Sequence, residues 1–275
     1  MRRTMAVVVV GAAVGLAWAA TGFAQSERDR VPGSPFGYAV FGLGDVTLQD
    51  GVRRIDGDVG SNDSTTTVGK QVRVAGAVVG KTITLRKGAL PDSLFCLLLK
   101  GGSSTLLCQA VTLPVMNAAE LPPVQVIPGT TKIKVPKKQS TSPAPAGAYG
   151  KLRIGSSGML VLAGGTYVFK SIQVDSQGQL LCQAACEIGV ADTVKIKSKA
   201  VLGGTGGTRA EAIRVNVAKT SSKTVFSADQ NSKVSAVVYA PGGRIVLRGG
   251  KHSSFVGAFV GGSVKVGKGA LVQAR

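Results

Sequence analysis

The chain is short of the residues on which most enzyme and metal chemistry is built. Its 275 residues include one histidine, one tryptophan, four cysteines and 14 carboxylates against 33 lysines and arginines. A Ser/His/Asp triad would have to be assembled around His252 alone. That residue stands in GGKHSSF beside a glycine corner, with no nucleophile-elbow pattern, and reads as a surface turn residue. The cysteines are spaced C-x11-C and C-x3-C without a CxxC pair, which argues against a structural zinc site. Aromatics make up only 5% of the chain. The basic run KIKVPKK lacks the interleaved rings on which single-stranded nucleic acid stacks, so nucleic acid is not the expected partner. Long helices are disfavoured too, because 38 glycines cost stability in helix interiors.

What is present favours strands. Valine, isoleucine and threonine dominate, and 44% of residues are hydrophobic, which excludes a disordered chain. The first residues, MRRTMAVVVVGAAVGLAWAATGFAQ, combine Arg2 and Arg3, an apolar run from Met5 to Ala20, and the small-residue site Gly22-Phe23-Ala24. They read as a signal peptide over residues 1–24. An uncleaved anchor is the alternative, since Met5 to Ala24 is long enough to span a bilayer. Both readings place the rest of the chain outside the cytoplasm: secreted, periplasmic or on the surface. Loss of Arg2 and Arg3 takes the formal net charge from +19 to +17. A charge of that size attracts polyanions such as anionic envelope polysaccharide. In an oxidising compartment, Cys96, Cys108, Cys182 and Cys186 are expected to form disulfides. Four cysteines allow three connectivities. The local one, Cys96–Cys108 and Cys182–Cys186, is the most economical, with the Gly-Gly-Ser-Ser turn of FCLLLKGGSSTLLC folding two apolar arms together.

Short alternating runs recur along residues 36–112 and again along 149–275: GDVTLQDG, QVRVAGAVVG, KTITLRKGA, then KLRIGSSGMLVLAGGTYVF, DTVKIKSKAVLGG and SKVSAVVYAPGGRIVLRGG. Each run of about five residues ends in glycine or another turn former. Steps of 22 (Ala236 to Ala258) and 19 (Gly57 to Gly76) suit a β-solenoid, whose coils bury their apolar sides only by stacking. Residues 75–90, AGAVVGKTITLRKGAL, nearly repeat as VGAFVGGSVKVGKGAL at 256–271, so the two runs read as coils of one solenoid. Between them, residues 113–148 carry seven of the 11 prolines. Proline at this density cannot lie in a central strand, so 113–148 is expected to be an extended crossing. Its basic cluster makes Lys132, Lys134, Lys137 and Lys138 the candidate polyanion contacts.

The segment SAVVYAPGGRIVLRGGKHSSFVGAFVGGSVKVGKGALV (235–272) resembles bacterial extracytoplasmic β-helix domains found in pilus-assembly-associated and envelope proteins. So does LRIGSSGMLVLAGGTYVFKSIQV (152–174). FGYAVFGLGDVTLQDGVRRIDGDVGSN (36–62), with its Gly57-Asp58-Val59-Gly60 corner, is similar to choice-of-anchor surface proteins and to ice-binding adhesin-type domains. The resemblance implies an all-β, right-handed parallel β-helix and an envelope or pilus protein as a partner. Ranks of Thr-x-Thr, used by other solenoid ice binders, are approached only at Thr65-Thr66-Thr67 and Thr82-Ile83-Thr84.

The best acidic cluster is Asp56, Asp58 and Asp63 in IDGDVGSND. Paired carboxylates can perform acid/base work on a glycoside, and calcium can bind such a loop, but Asp-Gly and Asn-Asp are ordinary turn residues. The glycine runs at 203–207 and 242–243 follow strands with no helix after them and are not phosphate loops. The sequence thus reads as a secreted structural or adhesive β-helix module of the cell envelope, with no catalytic residue, metal or cofactor. The rival is a carbohydrate-active β-helix enzyme acting on an acidic polysaccharide. Paired acids on adjacent coils in a groove would favour it.

Overall fold

The structure, a computed structural model, describes residues 34–274 apart from 103–105 and 142–143. The apolar run and cleavage site at 1–24 lie outside the described residues. Short strands pair parallel, coil on coil, into a β-solenoid of about 11 turns. No helix among the described residues is long and apolar enough to cross a membrane.

Each coil contributes to three faces. Face A runs, in spatial order, through Gly147–Ala148, Gly165–Phe169, Cys186–Val190, Ile213–Val217, 237–240, 259–261, Val40–Gly42, Val59–Ser61, 77–80 and 93–96. Face B begins at Ile133–Val135 and Lys151–Ile154, passes Val194–Ile196, 244–247, Val46–Leu48 and Thr65–Val68, and ends at 98–101. Face C begins at Ser140–Thr141 and Met159–Leu162, passes Leu271–Gln273 and Arg54–Asp56, and ends at 90–91.

The spatial order is not the chain order. Val40–Gly42 lies between residues 259–261 and Val59–Ser61, so the first coil sits on the last. From there the stack grows to one end, at Gln109. Residues 110–130 then return along the outside of face A as a strap. Val115 N and Met116 N donate to Asn62 (3.1 and 2.7 Å), and Tyr239 OH donates to the Pro122 carbonyl at 3.0 Å. Farther along, Val126 rests on Gly189. The chain restarts at the other end and climbs to residue 274.

The crossing is therefore shorter than the sequence suggests. Residues 133–148 already hold three strands and form the first coil of the second run. Proline is tolerated there for a specific reason. At this corner each coil donates an N–H to the coil beneath, as Gly155 N does to Val135 O and Asp175 N to Ile154 O. Pro136 occupies the same corner of the outermost coil, with no described strand beneath it, so its missing N–H costs nothing.

Side chains alternate inward and outward on every face. Inward valine, isoleucine, leucine and phenylalanine ladders form one continuous core. A second cluster lies outside face A, where the strap covers Phe41, Val79, Phe95, Tyr239 and Val260 with Met116. Most coils turn from face B to face C through a left-handed residue, such as Gln177 (φ 62°), Lys199 (φ 62°) or Gly88 (φ 75°); the turn at 248–253 does without one. The repeated KGAL occupies this turn twice, at Lys87-Gly88-Ala89-Leu90 and Lys268-Gly269-Ala270-Leu271. The step of 19 is kept where Val59 pairs with Val78. Val238 pairs with Phe259, a step of 21 rather than 22.

Candidate functional site

Face B gathers positive charge. Residues facing outward along one column are, in stacking order, Lys134, Arg153, Gln173, Lys195, Ser227, Val246, Lys265, Thr47, Thr67, Thr84 and Lys100. Lys151 and Arg244 stand in the neighbouring column. The adjoining turn into face C adds Lys70, Arg86, Lys87, Lys197, Lys199, Arg248, Lys251 and Lys268. With Lys132, Lys137 and Lys138, this side carries 18 basic residues. The described chain holds 33 − 5 = 28, since Arg2, Arg3, Arg28, Arg30 and Arg275 fall outside it.

Four acids lie among them. Asp45 stands in the column of Arg244, one coil beyond Ser263, and accepts the Thr65 N–H at 3.2 Å; the other three pair with cations. Asp175 pairs with Arg153 at 3.1 Å, Asp229 with Arg248 at 3.4 Å and Lys197 at 3.9 Å, and Asp50 with Arg86 at 3.2 Å. The Lys70 N–H, 2.8 Å from Asp50 Oδ1, and then the Arg86 guanidinium hold that carboxyl below its usual range. Such exposed pairs add little stability. Among the described residues no acid pairs with Lys134, Lys195 or Lys265, and all three are exposed. At roughly 4.8 Å per strand the charged column extends along about 50 Å.

The four sequence candidates fall at one end of this side. Lys134 points outward from Ile133–Val135, with Lys132 just before the strand and Lys137 and Lys138 in the turn after it. They belong to a rigid coil rather than to a segment free to extend. The sequence gives the total charge and one dense cluster. Only the register aligns Lys195 and Lys265, which stand alone in their own runs.

The disulfides join Cys96 to Cys108 and Cys182 to Cys186, with Cα separations of 5.3 and 6.2 Å. The first does not close an antiparallel hairpin. Gln109 bridges Phe95 in parallel, so the chain arrives back at face A one coil beyond Cys96. The second closes the corner from face C to face A.

The acids of IDGDVGSND are dispersed. Asp56 pairs with Arg54 on face C. Asp58, half-buried at the next corner, accepts the Ala77 N–H at 2.7 Å, and burial pushes its carboxyl up. Asp63 pairs with Lys81 at 3.3 Å. Among the described residues no group of three or more His, Cys, Asp or Glu could hold a metal. His252 lies in an exposed turn, its N–H donating to Asn231 Oδ1 at 3.1 Å. The threonine runs do stack in register, Thr65 on Thr82 and Thr67 on Thr84, with Thr47 continuing one column. Thr66 points inward, donating to the Val79 carbonyl at 2.8 Å.

Sequence reading missed a second feature, a cleft of about 390 Å³ between the strap and face A. Its signal was present in CEIGV and IRVNV, whose outward positions are Glu187, Gly189, Arg214 and Asn216, whereas farther along face A the outward residues Phe41, Val79, Phe95 and Val260 form an apolar cluster.

Residues 152–274 match the model of a family described as a domain of unknown function, DUF7305. No curated protein matches the chain. The chain is similar to three solved structures. They are an ice-binding protein from an Antarctic biological consortium (13% identity, 89% of this chain and 92% of that one, TM-score 0.35), one from the Antarctic ascomycete Antarctomyces psychrotrophicus (14%, 88% and 96%, 0.37), and the DUF3494 domain of Shewanella frigidimarina ice-binding protein 1 (14%, 89% and 97%, 0.38).

Proposed function

We propose that the chain is an exported structural or adhesive module of the bacterial envelope or surface that holds an anionic polymer along face B. The observation that carries this reading is the segregation of 18 of 28 basic residues onto one side of a rigid solenoid. A row of exposed cations needs no desolvated core to meet a polymer, and each neutralised anionic group releases a counterion. Export is supported by the leader sequence and by the two disulfides, which belong to oxidising compartments. A hydrolase of acidic glycans would need two carboxylates facing each other across a groove, and Asp56, Asp58 and Asp63 stand at separate positions.

Two variants of equal charge test the reading on immobilised polygalacturonate across a salt series. Lys134, Lys195 and Lys265 changed to Gln remove three charges from face B. Arg73, Arg209 and Lys233 changed to Gln remove three exposed charges from elsewhere. The first should flatten the dependence of log K on log salt by roughly 0.7 per lost contact, about 2 in all. The second should leave the slope near that of the unaltered protein. Equal slopes for the two variants would show that only net charge matters and would overturn a face-specific role.

A further inference from the structure

The cleft on face A differs from face B in every chemical respect. Its floor is a grid of two outward columns: Thr166, Glu187, Arg214 and Val237 in one, Val168, Gly189, Asn216 and Tyr239 in the other. At about 4.8 Å per strand the floor runs about 14 Å along the solenoid. Its roof is strap residues 122–126. The strap is pinned at both ends of this span, by the Tyr239 hydroxyl on the Pro122 carbonyl and by Val126 seated on Gly189, where a Cβ would come within 3.2 Å of the valine. Phe36 closes one end, its ring 5.4 Å from Tyr239 and edge-on to it. The Pro122-Pro123 roof has little freedom to collapse.

The lining restricts what fits. Glu187 and Arg214 sit side by side on adjacent coils and cancel, so within a chain of large positive charge this site is neutral. An anion would face Glu187 and a cation Arg214. An apolar ligand would cover the Arg214 guanidinium and the second Glu187 carboxylate oxygen without offering either a hydrogen bond. A peptide cannot add as a strand, because the backbone groups of the floor are already spent in the ladders. What remains is recognition by side chains that both donate and accept. Asn216 Nδ2 donates to Glu187 Oε1 at 3.2 Å, leaving its carbonyl and the second carboxylate oxygen for a ligand. Gln125 offers a further amide from the roof. Paired hydroxyls supply both halves of such bonds, while Phe36, Tyr239 and Pro122 give an apolar wall for the face of a ring.

We propose that this cleft binds a neutral saccharide, a chemistry independent of the polyanion reading. The test titrates the mature chain with cellotetraose, chitotetraose, maltotetraose and laminaritetraose, read by saturation-transfer NMR and calorimetry at two salt concentrations. At least one should bind, with an affinity that does not change with salt. Arg214→Met should weaken it on the order of tenfold, the cost of a lost hydrogen bond to a charged group. Thr166→Trp, at the exposed end of the floor, should abolish it while leaving the melting temperature and polygalacturonate retention unchanged. Binding of none of the four sugars, binding that falls with salt, or binding untouched by Thr166→Trp would each overturn the proposal.

Discussion

Phe259→Ala probes the seam at which the chain's two ends meet. Phe259 is fully buried, pairs with Val238 in the coil before it and with Val40 in the coil after it, and its ring lies 6.2 Å from Phe255 at 79°. Truncating a core phenylalanine removes its transfer free energy and leaves a cavity, for about 3–5 kcal/mol. The stacked ladders on both sides are held by backbone hydrogen bonds and cannot close in. A change of 1 kcal/mol moves the melting temperature by about 2–4 °C in a domain of this size, so a fall on the order of 10 °C is expected.

The location of the damage is the sharper readout. In a solenoid each coil leans on its neighbours. Hydrogen exchange should therefore rise together in residues 259–266 and 40–48, which are far apart in sequence and adjacent in space. Phe169→Ala is the control: Phe169 is equally buried but sits near the other end of the stack. It should cost a similar amount and leave residues 40–48 protected. Exchange that rises in 259–266 while 40–48 stays protected, or a cost below about 1 kcal/mol, would refute the seam.

Replacing Cys96 and Cys108 by Ser should cost about 3 kcal/mol and the Cys182–Cys186 pair about 2, from loops spanning 12 and 4 residues. Peptide mapping of the non-reduced protein checks the pairing, and a peptide joining Cys96 or Cys108 to the Cys182 region would refute it. Asp58→Asn should give a pH-dependent gain. Burial raises the Asp58 carboxyl in the folded state, so the native chain holds its proton more tightly and stability falls as pH rises through the window above 3.8. The variant should melt higher than the parent at pH 7, with the gap closing toward pH 3. A constant gap across that range would assign the effect to packing instead.

The fold was legible in short alternating runs and corner glycines because both are local. QVRVAGAVVG fixes which residues of its strand face inward whichever coil lies above it. The order of the coils was not legible. Val40, Val59 and Phe259 are interchangeable as inward residues of face A, and nothing near Val40 marks the C-terminal coil as its neighbour. The near-repeat of residues 75–90 at 256–271 identified two equivalent coils, but equivalence gives no adjacency. The second site was hidden for a related reason. Glu187 and Arg214 lie 27 residues apart in sequence and one strand apart in space. Their alternation was visible, yet the roof above them comes from a proline-rich stretch that carries no pattern of its own.

The KIKVPKK cluster shows how composition and position can point to different causes. Read as a charged run, it is the densest candidate for polymer contact. In the structure it forms part of the outermost coil of the second run, where the backbone of a sheet would otherwise offer a free edge. Lysine and proline at an edge are what keep exposed strands from pairing with another molecule. Lys134 points out from that strand, Pro136 withholds an N–H at its end, and Lys137 and Lys138 charge the turn that follows. The opposite end is handled differently, by Gln109 bridging Phe95 beside the Cys96–Cys108 disulfide. The charge at 132–138 thus has a structural use that Lys195 and Lys265, deep within the stack, do not share. Those interior lysines have paired coils on both sides and no edge to protect, so the proposal of a polymer ligand rests on them rather than on KIKVPKK.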